Sequence, residues 1–332
     1  MVPPDALVAA NNIEYDTGGI RKKRLGTARY NATVITGSTN VTALAEFWRH
    51  GAALAPTLDF VCASGTQTFK DDGDGVWDQI NAAWGTAASL NTNITIAQGY
   101  AVFSNGVDAP RTWDQTTEAA LGGTPPTFSF AAYHLRRLFV AGIAATPSQV
   151  TFSAAGAIAT WTGVDTGNLV FDEDDGDRVI GLSKPFQGAI YVFKGPSTGS
   201  VHELGGLSPA TFNRTKVVHG APCVNNHTIV TTPGDIYWVS RYGIHSLSLA
   251  RQFGDAQESF LSAPVQDIFR AYDIDDLDQA VGFWHPNRNI VGWFFTPGSA
   301  STNTEALKNN YILKQWSRRV HSGFAVNSSM VA

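Results

Sequence analysis

Short apolar runs recur along most of this chain, and their spacing constrains its fold more than any other feature. The runs occupy residues 59–63, 100–106, 137–142, 189–195, 235–240 and 289–295. Their first residues lie 41, 37, 52, 46 and 54 positions apart. After two successive runs the tripeptide Trp-Asp-Gln is repeated, at 77–79 and 113–115, which indicates duplication of a unit. A unit of ~40 to 50 residues with three or four short strands is typical of the blades of a β-propeller.

The clearest unit spans residues 220–249 and predicts a three-stranded meander. A β-branched run, an aromatic run and an alternating run follow one another at 228–231, 235–240 and 244–249. The short turns between them contain glycine, and turns of this kind join antiparallel neighbours. If the unit is a blade, Tyr237 and Trp238 pack between blades and Cys223 is buried at the start of a strand.

The sequence therefore predicts an all-β protein, a β-propeller of about six to seven blades that forms one domain over residues 1–332. Residues 41–319 contain the blades. The strands of residues 1–40, with a hairpin at Gly18-Gly19, and the closing segment 320–332 are expected to pair and close the ring. Closure of this kind is favoured because it leaves no sheet edge free.

One segment breaks this pattern and predicts an inserted amphipathic helix over residues 262–272. Ser262 is placed as its N-cap and Pro264 in its first turn. One face of the helix is apolar and comprises Leu261, Val265, Ile268, Phe269 and Tyr272. The helix is expected to pack on the rim of the propeller, and docking of a partner is the alternative.

The composition excludes several classes of function. The chain has 28 acidic and 23 basic residues and a net charge of −5, so it offers no broad cationic face for reading nucleic acid.

Cys62 and Cys223 lack metal-ligand spacing and are expected to be reduced core thiols, with a disulfide or a metal site as alternatives. Without a signal peptide or an apolar stretch of ~18 residues, a soluble protein made in the cytoplasm is expected.

The sequence contains no motif for a catalytic centre, a cofactor or a metal cluster. No catalytic, cofactor-binding or metal-binding residue is therefore predicted, and the protein is not expected to be an enzyme. Two acidic segments, 71–75 and 172–177, are interpreted as solvated turns, with cation binding as the alternative. The eight histidines are scattered singly and are expected to be ordinary strand residues.

The densest basic run lies near the N-terminus and comprises Arg21, Lys22, Lys23 and Arg24. Two interpretations stay open for these residues. In the first, the run is a solvated strand that protects a sheet edge, since charged side chains discourage pairing with another chain. In the second, it is a patch that faces DNA phosphates or a partner protein.

Four stretches of the chain resemble β-propeller proteins from the tails of bacteriophages. The segment Gly-Ile-Arg-Lys-Lys-Arg-Leu-Gly-Thr at 19–27 resembles the opening of those proteins, and residues 41–48 resemble their first blade strand. The unit at 220–249, with Gly-x-x-Cys at its start and Ser-Arg-Tyr-Gly-Ile after its aromatic strand, is similar to their most regular blade. Trp316-Ser317, after a Tyr-x-Leu strand, is similar to their last blade. The family comprises the portal-proximal tail nozzle, hub or stabilisation proteins of short-tailed phages.

This resemblance implies a structural virion protein that forms a ring of identical subunits below the portal and adaptor. The ring would extend the conduit for genomic DNA, which passes without sequence-specific binding, and would anchor tail fibres or spikes. The implied location is the tail of the virion, after synthesis in the host cytoplasm, and no cofactor is implied. The alternatives are a carbohydrate-binding propeller with exposed Trp and Tyr in equivalent loops, and a glycoside hydrolase with paired carboxylates at the central channel.

Overall fold

The computed structural model of the chain describes residues 12–15, 21–23, 35, 41–50, 56–85, 91–253, 260–298, 300–321 and 326. Within these residues a short hairpin, formed by β1 (Ile13–Tyr15) and β2 (Arg21–Lys23), precedes six antiparallel sheets. None of the helices in the described part of the chain is long and apolar enough to cross a membrane.

The first four sheets each contain four strands that are consecutive in sequence. Sheet one contains β3 (Val41–His50), β4 (Pro56–Ser64), β5 (Gln67–Asp71) and β6 (Asp78–Asn81). Sheet two contains β7 (Asn93–Ala97), β8 (Tyr100–Ser104), β9 (Arg111–Trp113) and β10 (Glu118–Ala120). Sheet three contains β11 (Phe130–His134), β12 (Arg137–Ala141), β13 (Gln149–Phe152) and β14 (Gly167–Val170). Sheet four contains β15 (Arg178–Leu182), β16 (Ile190–Gly195), β17 (Ser200–Gly205) and β18 (Asn213–His219).

The last two sheets are accompanied by most of the helical residues. Sheet five contains β19 (Val230–Thr231), β20 (Ile236–Val239) and β21 (Ile244–Ser246). It is followed by the helices α1 (Leu247–Phe253) and α2 (Gln266–Phe269). Sheet six contains β22 (Val281–His285), β23 (Ile290–Phe295), β24 (Glu305–Asn310) and β25 (Gln315–Val320). Short 3-10 helices occur at Glu173–Asp175, Asn226–Thr228, Ala263–Val265, Leu277–Gln279 and Pro286–Arg288.

The six sheets are the blades of a β-propeller. Strands pair antiparallel with their sequence neighbours, so each blade is an up-and-down meander. The first strand of a blade contacts the first strand of the next, as β3 contacts β7, β7 contacts β11 and β19 contacts β22. The first strands are therefore innermost and the fourth strands lie at the circumference. The predicted fold class is confirmed, with six blades in the described part of the chain.

The apolar core lies between the blades. Side chains of β16 alternate between two interfaces: Tyr191 and Phe193 pack toward blade five, whereas Ile190 and Val192 pack toward blade three. Because both faces of a blade are covered by its neighbours, a second strand is apolar at successive positions instead of alternating. This burial on both faces explains the continuous apolar runs in the sequence.

The positions predicted for Tyr237 and Trp238 are confirmed. Trp238 packs between blades four and five, and Tyr237 packs between blades five and six. The indole N–H of Trp238 donates to the carbonyl of Ala221 at 3.3 Å, and its ring meets that of Phe193 edge-on, with centroids 5.3 Å apart. Cys223 is buried in the same cluster as Trp238, as predicted, but it lies in the connection between β18 and β19 and not at the start of a strand.

The two ends of the described chain meet at blade six. β1 and β2 pair antiparallel, with Ile13 opposite Lys23, as expected for a hairpin at Gly18-Gly19, although those two glycines lie outside the described residues. The backbone N–H of Asn12 donates to the carbonyl of Arg318 in β25 at 2.9 Å. The hairpin thus lies beyond the fourth strand of blade six, at the circumference, and all four strands of that blade come from the C-terminal part of the chain.

Blade five departs from its sequence prediction because its last strand ends early. Residues 247–249, predicted as strand, begin the helix α1. The carboxylate of Asp235 accepts hydrogen bonds from the backbone N–H of Ser248 at 3.0 Å and from its hydroxyl at 2.5 Å, which fixes the first turn. Leu247 and Ala250, three positions apart, are both buried. The apolar positions of this segment therefore fit a helical period as well as an alternating one.

The helix predicted over 262–272 is present in a shorter form, as a 3-10 turn that leads directly into α2. Ser262 occupies the predicted N-cap position, and Pro264 lies in the first turn. The side chain of Ser262 does not cap the helix, because its hydroxyl oxygen instead accepts the backbone N–H of Ile244 in β21 at 3.1 Å. The packing prediction is confirmed, since Phe269 and Tyr272 are buried in the cluster between blades five and six.

The repeated Trp-Asp-Gln tripeptides do not occupy equivalent places. Residues 77–79 lead into β6, the fourth strand of blade one, whereas Trp113 ends β9, the third strand of blade two. Asp114 lies in the turn after β9, where its carboxylate accepts the backbone N–H groups of Thr116 at 3.0 Å and Thr117 at 2.7 Å. The interpretation as equivalent positions is wrong, because one tripeptide begins a strand and the other ends one.

Candidate functional site in blade four

A polar pocket lies at the outer part of blade four, beside the last strand of blade three. Its volume is about 240 Å³. It is lined by Val170, Phe171, Asp172, His202, Arg214 and Lys216. Four of these six side chains are ionisable, and they come from three separate elements: the connection after β14, the third strand β17 and the fourth strand β18.

Strand register places the three basic side chains on one face of the sheet. His202 of β17 pairs with Lys216 of β18, and Leu204 pairs with Arg214. Residues two apart in a strand point to the same side, so Arg214 and Lys216 share a face with His202. Arg214 is further fixed by a hydrogen bond from its guanidinium to the carbonyl of Val170 across the gap between the blades.

Behind the pocket, Lys194 of β16 is fully buried with its charge. Its ammonium donates to the carbonyl of Phe171 at 2.8 Å, to the carbonyl of Asp172 at 2.5 Å and to the carboxylate of Asp175 at 2.6 Å. An ammonium has three N–H donors, and all three are used here. Lys194 is therefore a structural cation that links the acidic segment 172–177, between β14 and β15, to blade four.

Asp172 has a left-handed backbone, with φ of 39°, that directs its side chain to the pocket wall. Its carboxylate forms an ion pair with Lys216 and lies 3.5 Å from Nε2 of His202. The hydrogen bond from Lys216 lowers the pKa of Asp172 below its usual value, although partial burial acts in the opposite direction. The carboxylate is thus ionised at neutral pH.

Burial lowers the pKa of His202 to about 4, even though the nearby carboxylate of Asp172 favours the protonated ring. The hydroxyl of Ser200 is 2.9 Å from Nε2 of His202, the same nitrogen that faces Asp172. In a Ser-His-Asp triad the serine and the carboxylate contact different ring nitrogens, so that a proton can move from one side of the ring to the other. This cluster lacks that arrangement and does not form such a triad.

The acidic segment 172–177 also binds the loop that follows β16, through hydrogen bonds to Asp177. Asp177 accepts hydrogen bonds from the backbone N–H of Ser197 at 2.7 Å, from the hydroxyl of Thr198 at 3.0 Å and from the backbone N–H of Gly199 at 2.7 Å. Burial raises the pKa of Asp177, but these hydrogen bonds outweigh it and the pKa is lowered overall. Asp177 therefore acts as an ionised anchor for the loop at 197–199.

The two acidic segments have different structures. In the segment 172–177, Asp172 and Asp175 are paired with lysines of blade four. In the segment 71–75, oxygen atoms of Asp71, Asp72 and Asp74 lie within 4.8 Å of one another. The ammonium of Lys70 is 3.6 Å from Asp72, which reduces the negative charge there. Lys194 and Lys216 thus neutralise much of the negative charge that would attract a cation to segment 172–177.

The basic run predicted as a partner or DNA contact lies at the circumference. Arg21, Lys22 and Lys23 form β2, on the far side of β1 from blade six, and Lys23 is exposed. Arg24 lies outside the described residues. The backbone of the run is therefore remote from the innermost strands, and its contact with DNA or a partner stays a prediction.

Cys62 and Cys223 are both free and buried, which confirms the prediction of reduced core thiols. Burial raises the pKa of each thiol to about 12.

The sequence does not predict the pocket in blade four, because a single histidine such as His202 is expected to be an ordinary strand residue. The only sequence signal for it was the acidic segment 172–177, and nothing in the sequence indicated which cations would face it.

The comparisons with known proteins support the fold alone. No protein-family model matches the chain, and no curated protein matches its sequence. A quinoprotein alcohol dehydrogenase-like protein from Bacteroides thetaiotaomicron is similar in structure, with 12% identity and a TM-score of 0.50 over 84% of this chain and 65% of that one. YCF48 bound to D1 peptide is similar with 9% identity and a TM-score of 0.50, over 89% of this chain and 86% of that one. At such low identity, the chain shares with these proteins the propeller architecture.

Proposed function

We propose that this protein is a structural component of a tailed-phage virion, a tail nozzle or hub subunit that assembles into a ring below the portal and adaptor. The ring extends the DNA conduit and anchors fibres or spikes. The sequence resemblance at 19–27, 220–249 and 316–317 supports this proposal, and a propeller is the fold that the resemblance requires. The net charge of −5 is compatible with DNA sliding past, because phosphate binding grows with the number of cations offered.

One observation carries the proposal furthest, an array of exposed aliphatic side chains on a single face. In an up-and-down propeller, the turns between third and fourth strands all lie on the same face. We call this face the hairpin face and define it by the turns at 72–77, 153–166, 206–212 and 311–314. Each of these turns exposes one large aliphatic side chain, at Val76, Val164, Leu207 and Ile312.

Single exposed apolar residues are common on soluble proteins, but their repetition around one face favours a contact that spans the ring. Val164 is fully exposed and Leu207 is 78% exposed. When another protein covers such side chains, the free energy falls because apolar surface is removed from water. Apolar side chains dispersed over one face suit stacking against another protein layer better than they suit enclosing a small substrate.

The experiment is electron microscopy of the purified protein, alone and with the adaptor protein of the same particle. Rings of identical subunits are expected. The variant Leu207→Lys should weaken assembly without lowering the melting temperature, because the side chain has few intramolecular contacts to lose. Val107→Lys is the matched control, since Val107 is 59% exposed in the turn after β8, on the opposite face. Dispersed monomers under both conditions would contradict the proposal.

A second candidate, a carbohydrate-binding propeller, is favoured by two exposed aromatic side chains in neighbouring blades. Trp48 near the end of β3 and Tyr100 at the start of β8 both flank turns on the hairpin face, and they are 51% and 38% exposed. Tyr242 is exposed on the opposite face. A glycan array without binding, or binding that is unchanged in Trp48→Ala, would eliminate this candidate.

The hydrolase alternative would need paired carboxylates near the propeller axis. The innermost strands β3, β7, β11, β15, β19 and β22 contain a single carboxylate, Glu46. A second carboxylate would therefore have to come from a loop. No observation in the described residues favours this alternative, and we do not propose it.

A further inference from the structure

We propose that the pocket in blade four binds a single oxyanion, a phosphate or a carboxylate group. This inference is independent of the virion function, because it depends only on the side chains that line the pocket. It assigns a ligand site to a region where the sequence predicted a solvated acidic turn.

The charges of the lining residues favour an anion. Lys216 is neutralised by its ion pair with Asp172, and behind them Lys194 is neutralised by Asp175. The guanidinium of Arg214 donates one hydrogen bond, to a carbonyl, and has no ion-pair partner among the described residues. The pocket therefore carries an excess positive charge of one guanidinium, in a protein whose net charge is negative.

The donors are also suited to an oxyanion. A guanidinium has five N–H donors in a planar fork, so Arg214 keeps donors for a ligand beyond the one used on Val170. Lys216 adds an ammonium with further N–H groups on the same face of the sheet. Charge-assisted hydrogen bonds of this type are stronger than those between neutral groups.

The size of the pocket restricts the ligand. Pockets for drug-sized molecules begin at roughly 300 Å³ and are lined mostly by apolar groups. This pocket, at about 240 Å³, is smaller and has mainly polar side chains on its walls. It has room for one small anion with water, or for the end of a larger molecule that carries a phosphate or carboxylate.

A divalent cation is the competing ligand, because Asp172 and His202 are potential metal ligands 3.5 Å apart. Two observations argue against a cation. The Asp172 carboxylate is already engaged by Lys216, and Arg214 repels a second positive charge in the same space. The structure thus favours an anion between the basic side chains over a metal between the carboxylate and the imidazole.

The test measures binding of sodium phosphate and of sodium acetate by calorimetry and by thermal melting, at constant ionic strength set with sodium chloride. Saturable binding of phosphate or acetate to one site and a raised melting temperature are expected, and the stronger of the two identifies the class of oxyanion. Arg214→Gln should weaken binding about tenfold or more, the loss expected for a charge-assisted hydrogen bond. Arg241→Gln, at an exposed arginine in blade five, is the control and should bind as the unaltered protein does.

Lys216→Gln provides a second variant, which should also weaken binding while a normal circular dichroism spectrum shows that the propeller is folded. If Arg214→Gln and Lys216→Gln both bound the anion as strongly as the unaltered protein does, the proposal would be overturned, because the anion would then bind elsewhere. The absence of saturable binding for both anions would also overturn it. Stabilisation by zinc or calcium chloride that EDTA reverses and Asp172→Asn abolishes, without any anion effect, would assign the pocket to a cation instead.

Discussion

His245 of β21 is buried against Trp238, with the two rings stacked at a centroid distance of 5.2 Å. Burial lowers the pKa of His245 to about 3, well below the value of 6.5 for an unperturbed histidine. Below pH 6.5 the unfolded chain therefore gains a proton that the folded protein does not bind. The free energy of unfolding falls as the pH decreases from 6.5 toward 3, by about 1.4 kcal/mol per pH unit for this one group.

The first prediction concerns this pH dependence. His245→Gln should make the free energy of unfolding less sensitive to pH between 6.5 and 4.5, because the residue that takes up the proton on unfolding is gone. The measurement is urea denaturation at several pH values in this range. His219→Gln, at an exposed histidine of β18, should keep the slope of the unaltered protein. Equal slopes for His245→Gln and the unaltered protein would contradict the prediction.

Lys194 is a second buried residue whose role can be measured directly. Lys194→Met should lower the free energy of unfolding by about 3 to 5 kcal/mol, because it leaves the carboxylate of Asp175 without its buried cation and two carbonyls without their donor. Lys184→Met, at an exposed lysine between β15 and β16, is the matched control and should change stability little. A loss below about 1 kcal/mol would indicate that water replaces the ammonium.

The loop between β16 and β17 passes very close to another segment of the chain. Gly199 has φ of 69°, and a Cβ atom there would lie 2.1 Å from Cα of Pro222. Gly188, in the turn before β16, has φ of 81° and open space around the same position. The two glycines thus have a similar backbone but different surroundings, so they separate conformational strain from steric overlap.

The third prediction compares alanine substitutions at these glycines. Gly188→Ala should lower the free energy of unfolding by about 1 kcal/mol, the cost of a left-handed backbone for an L-residue. Gly199→Ala should cost about 3 kcal/mol or more, because overlap with the backbone of Pro222 adds to that strain. Chemical denaturation of both variants provides the measurement. Equal losses would show that the loop moves away from Pro222 without penalty.

For the whole propeller, the fourth prediction concerns the two ends of the chain. All six blades are formed by residues 41–320, and the hairpin at the N-terminus joins β25 through the backbone hydrogen bond of Asn12. A variant that begins at residue 41 should therefore stay folded and monodisperse, with a small decrease in melting temperature. Deletion of 315–332 should cause aggregation, because it removes β25 and exposes the edge of β24. Circular dichroism and gel filtration distinguish the two outcomes.

The sequence predicted the blades well because the physical constraint on them is local. Each second strand is covered on both faces, so its residues must be apolar at successive positions whatever the details of its neighbours. The six runs identified from sequence coincide with the second strands β4, β8, β12, β16, β20 and β23, and only β4 extends beyond its run at both ends. The same local reasoning failed after β21, where the residues following Ser246 fit both a strand and a helix, and the contact with Asp235 decides for the helix.

By itself, the amino-acid sequence determined the class of fold, the positions of the blades and the burial of Tyr237, Trp238 and Cys223. Only the tertiary structure decided the pocket in blade four, because its residues are distant in sequence and meet through strand register and contact between blades. The acidic segment at 172–177 had the composition of a solvated turn. In the folded protein this segment instead pairs with Lys194 and Lys216. The strength of such charge pairs depends on distances that no local sequence pattern encodes.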